Sequence, residues 1–506
     1  MTPDAFKHTI REHPQDDGPR LIFADWLEEH GDCDYAEFIR VQCELEQPLD
    51  DDRWAALSRR EAELLALHRE EWLGPWRLSR PVQLRRGFLE AEIDAEEALR
   101  LSEEFWRAPA LLELTVARLH LYPETIERLI AWPGREFITG LEPSWRLNRS
   151  DWDELRRFLT CNWPRLTVLT LPPIAFSAGE IDSLSSMPDL KRLKLRDFRL
   201  PPSSGEWQSV LSSPIVDRLT AIELEDTPLS EAESHELARI CRSAPSLRQL
   251  TLNKCRVGAN EFKRFLQSAE LPQLTHLDLT GNPLRDSGIR LLADFVGLQS
   301  LTELNLNACE CGKPGVQSLL DSGLMRRLTA LHLNDNFLGD AAARMLLTSG
   351  EIDSIRLISL GSDLTDNGLG FIANSPAVSR WRELTVQGSS FTAAGLLTLL
   401  RSTELANLSS LTLAGLSLHL GHLPNLNRKP FTSRLRALTI RPEEFPGGRD
   451  ALSRDSVVNL LSSPSLPRLR RLRVPSVWPA EAIDGLQNQF GHRFECDTPP
   501  LMHRDA

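Results

Sequence analysis

No apolar stretch in these 506 residues approaches the ~18 that a membrane-crossing helix needs, so no membrane partner is expected. The N-terminus, MTPDAFKHTIREHPQDDG, has neither the apolar run nor the small-residue cleavage site of a secretory signal. The cytoplasm is therefore the expected location. Cysteine is sparse: the eight thiols, Cys33, Cys43, Cys161, Cys241, Cys255, Cys309, Cys311 and Cys496, form no closely spaced paired framework. Reduced thiols in a reducing compartment fit that pattern. Lysine occurs seven times among 58 basic residues, and the net charge is −13. A chain of that balance does not read as a nucleic-acid binder. There is no Gly-rich phosphate loop, no G-x-S-x-G and no H-E-x-x-H, so nothing marks an enzyme or a cofactor site. Asp32-x-Asp34 fails as a calcium loop, because Glu37 stands where glycine is needed and Cys43 where glutamate is needed.

What the chain does contain is a phrase. L-x-x-L-x-L or a close variant returns about every 27 residues: LTVLTL from Leu166, LKRLKL from Leu190, LTAIEL from Leu219, LRQLTL from Leu247, LTHLDL from Leu274 and LTELNL from Leu301. It continues as LTALHL from Leu328, IRLISL from Ile355, WRELTV from Trp381, LSSLTL from Leu408, LRALTI from Leu435 and LRRLRV from Leu469. Twelve copies at so even a spacing decide the architecture, because repeats of 20–50 residues stack into a solenoid. Degenerate copies precede them: GFLEAEI at Gly87–Ile93, LLELTV at Leu111–Val116 and ITGLEP at Ile138–Pro143. Ten of the twelve tryptophans lie at or before Trp207, so this earlier half packs with larger side chains.

Between phrases runs a second period. LRDSGIRLLADF from Leu284, LGDAAARMLL from Leu338, LTDNGLGFIA from Leu364 and FTAAGLLTLL from Phe391 align, each with helical apolar spacing. Asp286, Asp340 and Asp366 stand where a side chain can accept the free N–H groups of a first helical turn. Each repeat thus holds one short strand and one helix. The predicted fold class is α/β: a leucine-rich-repeat horseshoe, parallel strands concave and helices convex, with an all-α N-terminal cap.

Over residues 160–475 the repeats resemble the ribonuclease-inhibitor type of leucine-rich repeat. The phrase, the long period and L-x-x-x-G ahead of the helix carry the likeness. So do Cys255, Asn282, Cys309 and Asn336, which alternate at the ninth position, where that type points the side chain inward onto backbone groups of the turn. The alternation stops at Asp363 and Ser389. Cys309-x-Cys311 with His332 invites a metal reading, but Cys309 holds that inward position and no second Cys/His pair has ligand spacing, so no metal is expected.

The head is a separate acidic unit. Residues 1–52 hold fifteen Asp and Glu against four Lys and Arg, which is −11 of the total −13. Thr2-Pro3-Asp4 starts one helix, Asp17-Gly18-Pro19 precedes a second that stops at His30-Gly31, Tyr35 to Leu45 makes a third, and 51–71 a fourth. DDGPRLIFADWLEEHGD at Asp16–Asp32 and AEFIRVQCEL at Ala36–Leu45 resemble the short bacterial repeat-companion domain that precedes repeat arrays. RRGF at Arg85–Phe88 and QFGHRF at Gln489–Phe494 are similar to further segments of such proteins. The resemblance implies a bacterial cytoplasmic protein and no particular reaction. The expected divisions are the acidic head at 1–75, degenerate repeats at 76–165, the solenoid at 166–475, and a C-terminal cap and tail at 476–506.

In a strand, alternate residues share a face, so phrase positions three, five and seven point away from the leucines. That concave face carries Arg192, Lys194 and Arg196, then Glu223 and Glu225, then Asn253, His276 and Asp278, then Glu303, Asn305, Asn307, His332 and Asn334. Gln249, Thr251 and Thr280 lie among them, and Arg441, Arg471 and Arg473 at the far end. The reading is a non-enzymatic scaffold that binds an unidentified partner protein there. The alternative is an enzyme regulator, an inhibitor or a GTPase-activator-like protein. Residues 434–473 hold nine arginines against four acids. Weak head-to-tail association of an otherwise monomeric chain is the assembly those charges allow, and two solubilising caps the simpler reading.

Overall fold

The computed structural model describes residues 2–13, 16–47, 51–73, 84–100, 111–119, 123–143, 161, 163–171, 184, 187–196, 213–416, 435–442, 457–458, 461–462, 469–475, 486, 489–490 and 494–497. These fall into two compact units, Met1–Asp197 with Ser212–Leu219, and Phe198–Leu211 with Thr220–Ala506.

The first unit opens with four helices, α1 (Pro3–Glu12), α2 (Gly18–Glu29), α3 (Cys33–Leu45) and α4 (Asp51–Leu73). Their limits follow from local chemistry. Pro3 suits a first turn whose N–H has no partner. Gly31 takes a φ of +91° just after α2, and Asp32 caps α3 by accepting the Tyr35 N–H at 3.4 Å. Phe6, Phe23, Trp26 and Phe88 form one aromatic cluster with centroids 5.3 to 6.0 Å apart. Trp72 joins Tyr35 and Phe38 in another at 5.2 and 4.6 Å.

The helices are fastened to the first hairpin, β1 (Leu84–Arg85) and β2 (Phe88–Asp94), through its Arg86-Gly87 turn. Gly87 has a φ of +88°, and a Cβ there would stand 2.4 Å from Ile39 Cγ1 on α3. Its N–H donates to Gln42 Oε1 at 2.5 Å and its carbonyl accepts the Tyr35 hydroxyl at 2.9 Å. Gln42 Nε2 in turn donates to Glu61 Oε1 on α4 at 2.8 Å. Only glycine meets both the conformation and the contact, which accounts for the RRGF segment in physical terms. From β2 the strands run parallel through β3 (Leu111–Leu119), β4 (Ile138–Pro143), β5 (Val168–Leu171) and β6 (Arg192–Arg196).

The second unit repeats one motif. Its strands are β7 (Ala221–Glu225), β8 (Gln249–Asn253), β9 (His276–Asp278), β10 (Glu303–Asn305), β11 (Ala330–Asn336), β12 (Leu357–Thr365), β13 (Glu383–Ser390), β14 (Ser410–Leu416), β15 (Ala437–Pro442), β16 (Arg471–Pro475) and β17 (Phe494–Asp497). Each pairs parallel with the next. The fourth residue of every phrase meets its counterpart: Ile222, Leu250, Leu277, Leu304, Leu331, Ile358, Leu384, Leu411, Leu438 and Leu472 stand in one row. Seven helices, from Glu231–Ser243 to Ala393–Leu400, follow the strands and pack each on the next. Sequence repeat and spatial repeat coincide. The fold is a leucine-rich-repeat solenoid whose phrase leucines form the core, nearly all under 3% exposed.

The turns leaving the strands alternate between two geometries. The eighth phrase position is left-handed in five successive repeats: Asp226, Lys254, Gly281, Ala308 and Asp335. Where the ninth residue is Cys255 or Cys309, the tenth, Arg256 or Glu310, is left-handed as well. Where the ninth is Asn282 or Asn336, the second left-handed residue comes at the twelfth position instead, Arg285 or Gly339. At Asp363 and Ser389 no such turn forms; β12 and β13 run on and keep pairing to Thr365 and Ser390. Loss of the inward side chain thus straightens the backbone.

The aspartates expected to cap their own helices cap the next ones. Asp286 Oδ1 accepts the N–H groups of Gly312 and Gly315 at 2.8 and 2.9 Å. Asp340 accepts the Thr365 N–H at 2.9 Å and its hydroxyl at 2.7 Å. Asp366 treats Thr392 alike. The expectation placed the caps within a repeat, whereas the carboxylate reaches across to the neighbour because the helices lie side by side. A Cβ on Gly315, Gly368 or Gly395 would meet the incoming carboxylate oxygen at 2.8, 2.4 or 2.0 Å, so these glycines clear its path.

A sign reversal tests this. Gly368 and Gly370 share one helix, and nothing stands within 4 Å of a Cβ on Gly370. Gly370→Ala should stabilise by about 0.5–1 kcal/mol, as in an ordinary helix interior. Gly368→Ala should cost about 1–3 kcal/mol by displacing Asp340. Urea denaturation of both variants reads the difference, and equal effects would refute the crossing cap.

Candidate protein-binding face

The thirteen residues singled out from the sequence divide between the units. Arg192, Lys194 and Arg196 lie half-buried on β6 of the first, where Lys194 Nζ is 3.8 Å from Glu142 Oε1. The others lie in the second. Strand positions three and five on β7–β10 are half-buried while the leucines between them are buried, as a one-sided sheet requires, apart from Ala221, itself buried.

On the second unit many of these side chains are tied to one another across strands. Asp278 accepts the Thr280 N–H at 2.8 Å and hydroxyl at 2.5 Å, and its other oxygen accepts Asn305 Nδ2 at 3.0 Å. Asn305 Oδ1 accepts the Asn307 N–H at 3.0 Å, and Asn307 Oδ1 the Asn334 N–H at 2.7 Å. Glu303 sits between two imidazoles, with His276 Nε2 at 3.1 Å and His332 Nε2 at 3.9 Å. His276 Nδ1 lies 2.7 Å from the Thr275 hydroxyl, and His332 Nδ1 3.0 Å from the Ser359 hydroxyl. Burial lowers the pKa of His332, with Glu303, Asp278 and Glu383 opposing, which favours the neutral ring.

Ser359 was not anticipated, nor was Gln387, whose Nε2 donates to Asp335 Oδ1 at 2.7 Å. The signal was present: Ser359 is the fifth residue of the Ile355 phrase and Gln387 the seventh of the Trp381 phrase. Ser359, His332 and Glu303 also follow the order of nucleophile, base and orienting acid. The geometry does not support that chemistry. Ser359 is 3% exposed, its strand is paired on both sides, and the His332–Glu303 gap exceeds a hydrogen bond.

Cys309 and Cys311 are fully buried, and burial pushes the Cys311 thiol up to about 12 and Cys309 higher. Cys309 Sγ donates to the Leu279 carbonyl at 3.2 Å. Among the described residues no three His, Cys, Asp or Glu side chains converge to hold a metal. No described helix is long and apolar enough to cross a membrane. An open hollow of about 640 Å³ lies at helix ends, away from the strands, and its Arg326 is closed on Glu351 at 2.5 and 2.7 Å.

Among known families, a model described as "Leucine Rich repeat" matches residues 271–293, which span β9 and all but the last residue of the helix Arg285–Asp294. No curated protein matches the chain. Among solved structures, similar chains occur in the Rad7 and Elc1 complex in yeast, at 15% identity over 90% of each chain and a TM-score of 0.43. A TLR13–ssRNA13 complex is similar at 17% identity over 73% of this chain and 50% of that one, with a TM-score of 0.35. An internalin from Listeria monocytogenes is similar at 15% identity over 65% and 79%, with a TM-score of 0.34. The fold assignment stands on the register above and not on these scores.

His332 gives the face a pH signature. Its folded pKa lies below 6.5, the value it regains on unfolding. The unfolded chain therefore binds the proton more readily, and stability falls as pH drops from about 6.5 through the folded value. His332→Gln should flatten the dependence of the unfolding free energy between pH 7.5 and 5.5. An unchanged slope would mean that the ring is not held neutral.

Proposed function

We propose that this protein is a non-enzymatic scaffold that holds a partner protein on the strand face of its second unit. One observation carries the reading: outward side chains of β9–β12 are already fixed in a cross-strand hydrogen-bond ladder. A surface ordered before binding loses little side-chain freedom on contact, which is what a pre-formed docking face requires. The ladder offers donors and acceptors in fixed places and no reactive group with an accessible partner, so recognition suits it better than catalysis. The proposal includes a bacterial, cytoplasmic setting, repeats of the ribonuclease-inhibitor type, and the four-part division with a repeat-companion head at 1–75.

The test is capture of partners from the native cell by the full chain and by two variants. His276→Ala with Glu303→Ala should weaken a captured partner at least about ten-fold, a loss near 1.4 kcal/mol. Glu28→Ala with Glu29→Ala on α2 should leave it bound. The reverse pattern would move the binding surface to the head.

A further inference from the structure

We infer that the partner meets this face with a cationic protein surface, and that Phe337 seats one of its arginines; the inference rests on the reading that the strand face is where a partner binds. The third, fifth and seventh phrase positions from Ala221 to Gln387 contain no lysine or arginine. Five of them are carboxylates: Glu223, Glu225, Asp278, Glu303 and Glu383. Asp278 accepts from the neutral Thr280 and Asn305, and Glu303 lies against the imidazoles of His276 and His332. Neighbouring strands stand about 4.8 Å apart, which puts such charges close enough to reinforce one another. A partner of like charge is repelled there, a neutral one leaves desolvated carboxylates unmatched, and guanidinium groups match them.

Phe337 supplies what the strand positions lack, a large aromatic side chain. It is 68% exposed, yet its backbone is fixed, because its N–H donates to the Cys311 carbonyl at 2.9 Å and it bridges to Gly312. It is the tenth residue of its repeat, where the other asparagine-type turn has Pro283. Exposed carboxylates stand on the same row of turns, Asp335 two residues earlier and Asp363 one repeat after, while Glu310 one repeat before is ion-paired with Arg285 at 3.0 Å. An aromatic face beside carboxylates accepts a guanidinium by cation–π attraction and ion pairing together. Arginine and aromatic side chains are also the residues on which interfaces anchor.

The probe is fluorescein-labelled octa-arginine, with octa-glutamate as its opposite, read by anisotropy on the full chain. Octa-arginine should bind at ~50 mM salt and weaken at ~500 mM, while octa-glutamate should not bind. Asp278→Asn with Glu303→Gln and Glu383→Gln should weaken octa-arginine at least about ten-fold, and Phe337→Ala about three-fold. A control removing the same charge from the head, Asp25→Asn with Glu28→Gln and Glu29→Gln, should change it less than about two-fold. The inference is overturned if the head control matches the face variant, if Phe337→Ala has no effect, or if octa-arginine does not bind. A captured partner that needs His276 and Glu303 while octa-arginine fails would sink the charge inference and leave the strand face standing. Failure of both would remove the face itself.

Discussion

A buried asparagine amide holds the turns of adjacent repeats together. Asn336 is 1% exposed. Its Nδ2 donates to the carbonyls of Leu306, Asn334 and Leu333 at 2.7 to 3.2 Å, and its Oδ1 accepts the N–H groups of Cys309 and Cys311, both at 3.0 Å. Asn282 does the same one pair of repeats earlier, with the Leu252 and Leu279 carbonyls and the Val257 N–H. A parallel strand leaving a sheet must turn with its peptide groups out of reach of water, and an unpaired buried group costs about 1–3 kcal/mol. One amide meets several of them in two repeats at once. The leucines supply the driving force for stacking, but an apolar core alone does not fix register between identical strands. The amide and the crossing aspartates do, because each also bonds specific groups in the adjoining repeat.

The face inherits its order from that register. His276, Glu303 and His332 come from three phrases, separated by 27 and 29 residues, yet meet as neighbours because equivalent positions align. A slip of one residue would turn them into the core and bring leucines out. An ordered display of charge and amide groups follows from the stack itself. On the proposed reading, its negative sign and the aromatic ring at its edge then narrow what can dock on it.

Much of this was legible in the sequence because periodicity reports burial directly. The phrases at Ile138, Leu274 or Ile355 name their own strands, and Pro3 and Gly31 name helix ends by local chemistry. What the sequence hid depends on distance in the fold. Asp340 has the spacing of a cap, but its partner, Thr365, is 25 residues on, and no local rule links them. Gly87 reads as one more turn glycine until Ile39 and Gln42 are seen against it. Asn282 and Cys255 both read as inward side chains, while the two turn geometries they specify show only in the backbone angles. The Glu303–His332–Ser359 contact joins three repeats and needed the register before it could be drawn.

The most direct test of the account is hydrogen exchange on Asn336→Ala. If the amide holds the preceding turn, the N–H groups of Cys309 and Cys311, 27 and 25 residues upstream, should lose protection before those flanking position 336, with an overall cost of at least about 2 kcal/mol. Protection lost only around position 336, with Cys309 and Cys311 unchanged, would contradict the claim that one buried side chain sets the register of two repeats.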